Sequence, residues 1–257
     1  MNLTVDVNSD IGESFGVYKI GQDEEVIKHI TSANIACGYH AGDHNVMHQT
    51  VALAAKYGVG IGAHPGLQDL PGFGRRKMEV TPEEVYNMTV YQVSAIQGFA
   101  NIYGHRLQHV KPHGALYNMA AKDRSVADAI CQAVKDISKD GSLLLFALAG
   151  SELVKSAHYA GIKVVEEVFA DRTYQPDGTL TPRSQPDAVI HDPHVAVTQA
   201  IQMVREGLVT AVDGSRIPIV ADSICVHGDS DHALQFVQML RRALSEHRIN
   251  VKNPTGV

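Results

Sequence analysis

The chain has 257 residues, 44% of them apolar and 19% charged, which fits a sizeable globular core and excludes a disordered or low-complexity chain. The net charge of −6, from 28 acids against 22 bases, argues against nucleic acid as a partner, and the one tight basic run, Arg75-Arg76-Lys77, is too short to track a phosphate backbone. The opening residues lack the basic and apolar regions of a signal peptide, the apolar run at 143–149 is far short of a membrane span, and Cys37, Cys131 and Cys225 show no C-x-x-C spacing, so a cytoplasmic protein with reduced thiols and no membrane contact is expected.

Along the chain, short β-branched runs alternate with longer helical stretches. Residues 3–8 read as a strand, with Leu3, Val5 and Val7 on one face. A helix at 23–30 and a strand at 32–37 follow. Asp43 is placed to cap a helix over 43–57, and a strand at 59–63 runs into His64-Pro65-Gly66. A Gly- and Pro-bearing loop at 66–79 precedes a long helix opened by Thr81-Pro82-Glu83-Glu84. There Thr81 and Glu84 form a capping box and Pro82 takes the first helical position. Further strands are expected at 109–112, 143–149, 163–170 and 223–226, with helices at 125–138, 151–160, 193–206 and 230–246. Asp213-Gly214 marks a small hairpin at 209–220. Seven β-then-α units without a break imply parallel strands, and a deformed (β/α) barrel of the α/β class is the first choice over an open doubly wound sheet. One barrel domain over 1–252 and a loose tail at 253–257 are expected.

Active sites in such barrels lie where strands end. The strand ends here carry titratable residues beside Gly or Pro, while the strands are mostly apolar. The first offers Asn8, Asp10 and Glu13; the second His40, Asp43 and His44; the third His64; the fourth Lys111 and His113; the sixth Asp171 and Arg172; the last His227 and Asp229. His40 and His44 have i,i+4 spacing and are a candidate metal pair, with Asp10 or His64 completing the set, whereas His48 reads as part of a solvated helix face. Lys111 and His113 flank Pro112 and can converge on an anion and a proton. Gly72-Phe73-Gly74-Arg75-Arg76 suits a phosphate or carboxylate. Gly58-x-Gly60-x-Gly62 lies in a strand and is no dinucleotide fingerprint. Neither a P-loop nor a G-x-S-x-G elbow is present.

Six of these segments, together with Asp6-Val7-Asn8-Ser9-Asp10-Ile11-Gly12-Glu13-Ser14-Phe15-Gly16, carry a family resemblance. The six are 33–43, Gly62-Ala63-His64-Pro65-Gly66, Gly72-Phe73-Gly74-Arg75-Arg76, 110–117, Phe169-Ala170-Asp171-Arg172 and Cys225-Val226-His227-Gly228-Asp229. In this order the chain resembles the lactam-utilisation (LamB/YcsF) family, the A subunit of the prokaryotic ATP-dependent 5-oxoprolinase. Ser9 stands where a Cys is usual and Asp187 where a Gly is usual, so no thiol acts at position 9.

The resemblance implies a deacetylase-like deformed barrel that opens 5-oxoproline to L-glutamate. ATP would be the co-substrate, cleaved to ADP and phosphate, with a divalent metal either as Mg for the ATP or as a site ion, and subunits B and C would be the partners. The expected catalytic set is Asp10, Glu13, His64, Lys111 and His113. Asp10 or Glu13 would serve as base and His64 or His113 as proton donor. Asn8, Arg75, Arg76, Asp171, Arg172, His227 and Asp229 would bind substrate or phosphate. Two rivals remain: a stand-alone metal-dependent amidohydrolase or deacetylase, and a non-catalytic lactam-binding subunit.

Overall fold

The computed structural model describes residues 3–227 and 233–255. Its strands are β1 (Leu3–Ile11), β2 (Ser32–Ala36), β3 (Gly60–His64), β4 (His109–Val110), β5 (Leu144–Leu148), β6 (Val164–Phe169), β7 (Leu208–Thr210), β8 (Arg216–Pro218), β9 (Ser223–His227) and β10 (Ile249–Val251). Its helices are α1 (Asp23–Val26), α2 (His44–Tyr57), α3 (Pro82–Ile102), α4 (Gly114–Ala120), α5 (Arg124–Ile137), α6 (Glu152–Ala160), α7 (Pro193–Glu206) and α8 (Ala233–Glu246). Strands β1 to β6 pair in order, β9 pairs with β6, and β1 pairs with β9, which closes a barrel of seven parallel strands. The expected closed barrel is therefore the observed one. The hairpin around Gly214 is also present, as antiparallel β7 and β8.

Local chemistry sets the helix starts. Asp43 accepts the Asn45 and Val46 N–H groups at 2.8 and 3.0 Å, and Thr81 and Glu84 form the reciprocal capping box. Neither α4 nor β10 is evident in the sequence. β10 is three residues beside the start of β1, too short to carry a periodic signal. The tail is not loose as far as Thr255. Asn253 Nδ2 donates to the Thr31 carbonyl at 2.9 Å, and Gln108 Nε2 donates to Asn253 Oδ1 and to Thr255 Oγ1, seating the tail against the N-terminal end of the barrel. Polar side chains that meet main-chain groups, which hydropathy patterning does not register, fix it there.

Along most strands the period of two separates an apolar outer face from a polar inner face, with Leu144, Phe146 and Val165 as a small apolar cluster inside. Outward residues such as Val5, Val7, Ile35, Ile61, Val110, Leu145, Val168 and Ile224 are buried beneath the helices in the main apolar core. The alternate residues Asp6, Asn8, Asp10, Ser32, Asn34, His109, Lys111, Glu167 and Ser223 are buried as well, although they are polar or charged. Two inward positions of β3 have no side chain. A Cβ on Gly62 would lie 2.0 Å from His109 Nε2, and one on Gly60 would lie 2.0 Å from Gln108 Oε1. The spaced glycines of β3 thus make room for a ring across the barrel and for the anchor of the tail.

Candidate active site

The floor of the site is a hydrogen-bonded network drawn from five strands. Lys111 Nζ lies 2.9 Å from Asp10 Oδ1, 2.8 Å from Glu167 Oε1, 3.2 Å from Asn8 Oδ1 and 3.1 Å from Cys225 Sγ. Asn34 Nδ2 donates to Asn8 Oδ1 at 2.7 Å and to Asp10 Oδ1 at 2.9 Å, and its own Oδ1 accepts from His109 Nε2 at 2.7 Å. Tyr117 donates its hydroxyl to Glu167 Oε2 at 2.7 Å. Below, Ser223 joins Asn8 to Asp6. A buried polar group is tolerated only when its partners are present, and here each strand supplies the partner that its neighbours need.

These surroundings fix charge states. Burial alone would depress the Lys111 ammonium, but Asp10 and Glu167 outweigh it and hold it well above its usual value. Burial pushes His109 down to about 3, with Lys111 adding to the effect, so the ring is neutral. Burial also raises the Tyr117 hydroxyl well above its ordinary value, with Glu167 reinforcing it, and raises the Cys225 thiol. Asp6 is raised by burial to about 6 against the pull of three hydroxyl donors, Ser223, Thr31 and Ser32.

Above the floor, three histidines and a glutamate converge. His64 Nδ1 meets the Lys111 carbonyl at 2.7 Å, and His113 Nε2 meets the Phe73 carbonyl at 2.8 Å. Carbonyls only accept, so those nitrogens carry the protons, and the facing atoms, His64 Nε2 and His113 Nδ1, lie 3.0 Å apart. His40 stacks on His113 with centroids 3.6 Å apart, and its Nε2 is 3.3 Å from Glu13 Oε1. Burial holds His40 and His113 well below the usual imidazole range, with neighbouring histidines adding to the effect. Glu13, His40, His64 and His113 each bring one ligand atom within 4.8 Å of the others, a set able to hold a metal ion.

The loop after β3 is moulded to this cluster. Gln92 clamps Gly66, accepting its N–H at 2.9 Å and donating to its carbonyl at 3.0 Å. A Cβ on Gly66 would stand 2.7 Å from His40 Nδ1, and one on Gly74, where φ is +62°, would stand 2.6 Å from His40 Cβ. Phe73 takes a left-handed φ of 53°, a cost of roughly 1 kcal/mol or more for a residue with a side chain. Its ring meets His40 and His113 edge-on, and its carbonyl accepts a hydrogen bond from His113 Nε2.

A pocket of about 410 Å³ opens over both layers, with Asp10, Glu13, His64, Lys111 and His113 in its wall. All five expected catalytic residues therefore share one cavity. Asn8 lies in the floor beneath it. Arg75 also lines the pocket, its guanidinium 4.8 Å over the Phe73 ring. The remaining expectations fare differently. Arg76 is turned to Asp69, donating from Nε at 2.9 Å, and is absent from the pocket wall. Arg172 reaches the wall but donates to the Ala188 and Thr181 carbonyls at 3.0 and 2.6 Å, bracing the 172–190 loop. Asp171 accompanies that loop, its main chain pairing with Ile190. His227 ends β9 in register with Asp10, and Asp229 lies outside the described residues.

His44 needs correcting as a metal ligand. α2 begins at His44 itself, so His40 precedes the helix and the i,i+4 face does not exist; His44 is exposed and outside the cluster. His48 is a surface residue, as expected, paired with the Tyr103 hydroxyl. Sequence reasoning missed Glu167, Asn34, His109, Tyr117 and Cys225 as site-forming residues. The available signal was alternation: a glutamate on the inner face of β6, between Val165 and Phe169, has to find a cation.

The profile of the LamB/YcsF family matches residues 5–257. The chain belongs to the LamB/YcsF family. This LamB/YcsF chain is 59% identical over 252 residues to the A subunit of 5-oxoprolinase from Oceanobacillus iheyensis, covering 98% of this chain and 97% of that protein. It is 57% identical over 247 residues to the A subunit of 5-oxoprolinase from Bacillus subtilis, covering 96% of this chain and 95% of the other. Among solved structures, the lactam utilization protein of Thermus thermophilus superposes with a TM-score of 0.91 at 43% identity, covering 97% and 99% of the two chains. A protein from Enterococcus faecalis, 16% identical over 98% of each chain, shares the fold alone, with a TM-score of 0.55. No helix among the described residues is long and apolar enough to cross a membrane.

Proposed function

We propose that this chain is the A subunit of a cytoplasmic 5-oxoprolinase that works with subunits B and C. The complex opens 5-oxo-L-proline to L-glutamate and cleaves ATP to ADP and phosphate. End-to-end identity of 57% and 59% to the A subunits of two bacterial 5-oxoprolinases carries the reading. The pocket supports it by placing an ionised acid, a fixed ammonium and an arginine around one small cavity.

An unstrained five-membered lactam resists water because attack must break amide resonance. Phosphorylating the amide oxygen yields a better electrophile: one water adds to the activated carbon, the ring C–N bond breaks to leave a γ-glutamyl phosphate, and a second water cleaves that acyl phosphate to glutamate and phosphate. This chain has no P-loop, so we assign activation to the complex and ring opening to the pocket described here. Asp10 is the base. Lys111 and Asn34 grip its Oδ1, and its Oδ2, 3.4 Å from His64 Nε2, is the oxygen assigned to the attacking water. The histidines are poor proton donors, since His64 and His113 spend their N–H groups on carbonyls and present lone pairs to the cavity. Asp10 therefore takes the proton from water and returns it to the ring nitrogen as the bond breaks. Lys111, already between two carboxylates, keeps Asp10 ionised, and Arg75 is the better partner for the substrate carboxylate or the departing phosphate.

The test is glutamate release from 5-oxoproline by the purified chain, with and without ATP and with and without subunits B and C. Release that needs ATP and both partners is the expected result. The Glu/His cluster favours one other reading, a metal-dependent amidohydrolase acting alone. Amide hydrolysis by the isolated chain, independent of ATP, would establish that rival instead.

A further inference from the structure

We infer that Glu13, His40, His64 and His113 form a binding site for one divalent first-row transition ion of the zinc class. The inference concerns the same pocket as ring opening but does not depend on that reading.

Three observations carry it. The first is the direction of the lone pairs. His64 and His113 are each pinned by a carbonyl on the far ring nitrogen, at 2.7 and 2.8 Å. The near nitrogens, His64 Nε2 and His113 Nδ1, are then both acceptors, yet they stand 3.0 Å apart. Two lone pairs at that distance repel unless a positive centre lies between them. Donation of the remote N–H to a carbonyl is the arrangement that orients imidazole ligands on metals.

The second is spacing. The ligand-atom separations of 3.0 Å between His64 and His113, 3.3 Å between His40 and Glu13 and 3.8 Å between His113 and Glu13 bracket the edge of about 3.3 Å of a tetrahedron with bonds near 2.05 Å. Three imidazoles and one carboxylate suit Zn, Co, Fe or Ni; Mg and Ca prefer all-oxygen sets. The site is therefore distinct from any ion that accompanies a nucleotide.

The third is a built cradle around His40. His40 is fully buried, and its Nε2 faces Glu13 at 3.3 Å. Gly66 and Gly74 exclude side chains that would collide with this ring, and Phe73 is held at positive φ against it. The fold thus spends backbone freedom at three positions to bring His40 next to three other potential ligands. Glu13, His64 and His113 also line the pocket, so an ion held there would face incoming ligand.

The experiment uses the full chain stripped with a chelator and titrated calorimetrically with Zn²⁺, Co²⁺ and Mg²⁺, with the visible spectrum of the Co²⁺ form recorded. One equivalent of Zn²⁺ or Co²⁺, intense d–d bands of a four- or five-coordinate ion, and no comparable Mg²⁺ binding are expected. His40→Gln and Glu13→Gln should each weaken binding at least about 100-fold, and His44→Gln should leave it unchanged. Should either site variant fail to fold, the wild-type chain still answers through ¹⁵N shifts, since Zn²⁺ should move His64 Nε2 and His113 Nδ1 specifically. Absence of stoichiometric Zn²⁺ or Co²⁺ binding by folded wild-type chain would overturn the inference. A shared proton found between His64 and His113 in place of an ion, or undiminished affinity in both site variants, would do the same. None of these readouts uses glutamate release, so the fate of the oxoprolinase reading is decided separately.

Discussion

Replacing Lys111 by Met should cost far more than the loss of one surface ion pair. The ammonium sits 2.9 Å from Asp10 and 2.8 Å from Glu167, and all three residues are buried. At an effective dielectric of about 20, each contact attracts by roughly 6 kcal/mol, and most of that is offset by the cost of desolvating the three charges. Methionine keeps the length and removes the charge, so two carboxylates remain in a dry barrel with no cation. Breaking such a group is expected to cost about 3–5 kcal/mol, or roughly 10 °C in melting temperature for a chain of this size. Urea unfolding at neutral pH measures it. Adding Glu167→Gln to Lys111→Met removes one stranded charge and should recover about half the loss. A single variant that loses less than about 1 kcal/mol, or a double variant no more stable than the single, would refute the view that Lys111 is the counter-charge of the barrel interior.

Asp10→Asn should lower glutamate release by the assembled complex about 10²- to 10⁴-fold while leaving the melting temperature close to wild type; an undiminished rate would remove Asp10 as the base. Asp6 predicts a pH dependence of stability. Its carboxyl is raised from 3.8 to about 6, so between those values the folded chain keeps a proton that the unfolded chain has released. Stability from this group is therefore full below about pH 4 and falls as pH rises to 6, by on the order of 3 kcal/mol. Asp6→Asn should flatten that slope in denaturation measured from pH 4 to 7, and an unchanged slope would discount the burial of Asp6. Gly62→Ala would put a methyl 2.0 Å from His109 Nε2 and should destabilise by about 1–3 kcal/mol, with partial rescue by His109→Ala; a neutral Gly62→Ala would show that the ring has another place to go.

The barrel was legible because its signals are local. Alternation in β1 and the caps at Asp43 and Thr81 are short-range patterns, and each is found where the pattern puts it. The grouping within the site was not legible. Glu13 and His40 follow β1 and β2, His64 ends β3 and His113 follows β4, so which of them meet depends on barrel curvature and on a loop that folds back through Phe73. The His44 error arose from applying helical spacing across a helix start. Glu167 was overlooked because site candidates were sought at the strand ends, without asking which face each residue within β6 takes. The same question separates Arg75 in the pocket wall from Arg76 on Asp69, a distinction their adjacency hides.

The polar interior also constrains how the molecule can come together. Asn8 finds Ser223 across 215 positions of sequence, and Lys111 reaches Cys225 across 114. Until β9 arrives, the side chains that will meet inside lack partners that only the last strand brings, so a half-built barrel gains little from excluding water there. Such an interior rewards closure as one late event and penalises every partial ring, the behaviour of a clasp rather than a zipper.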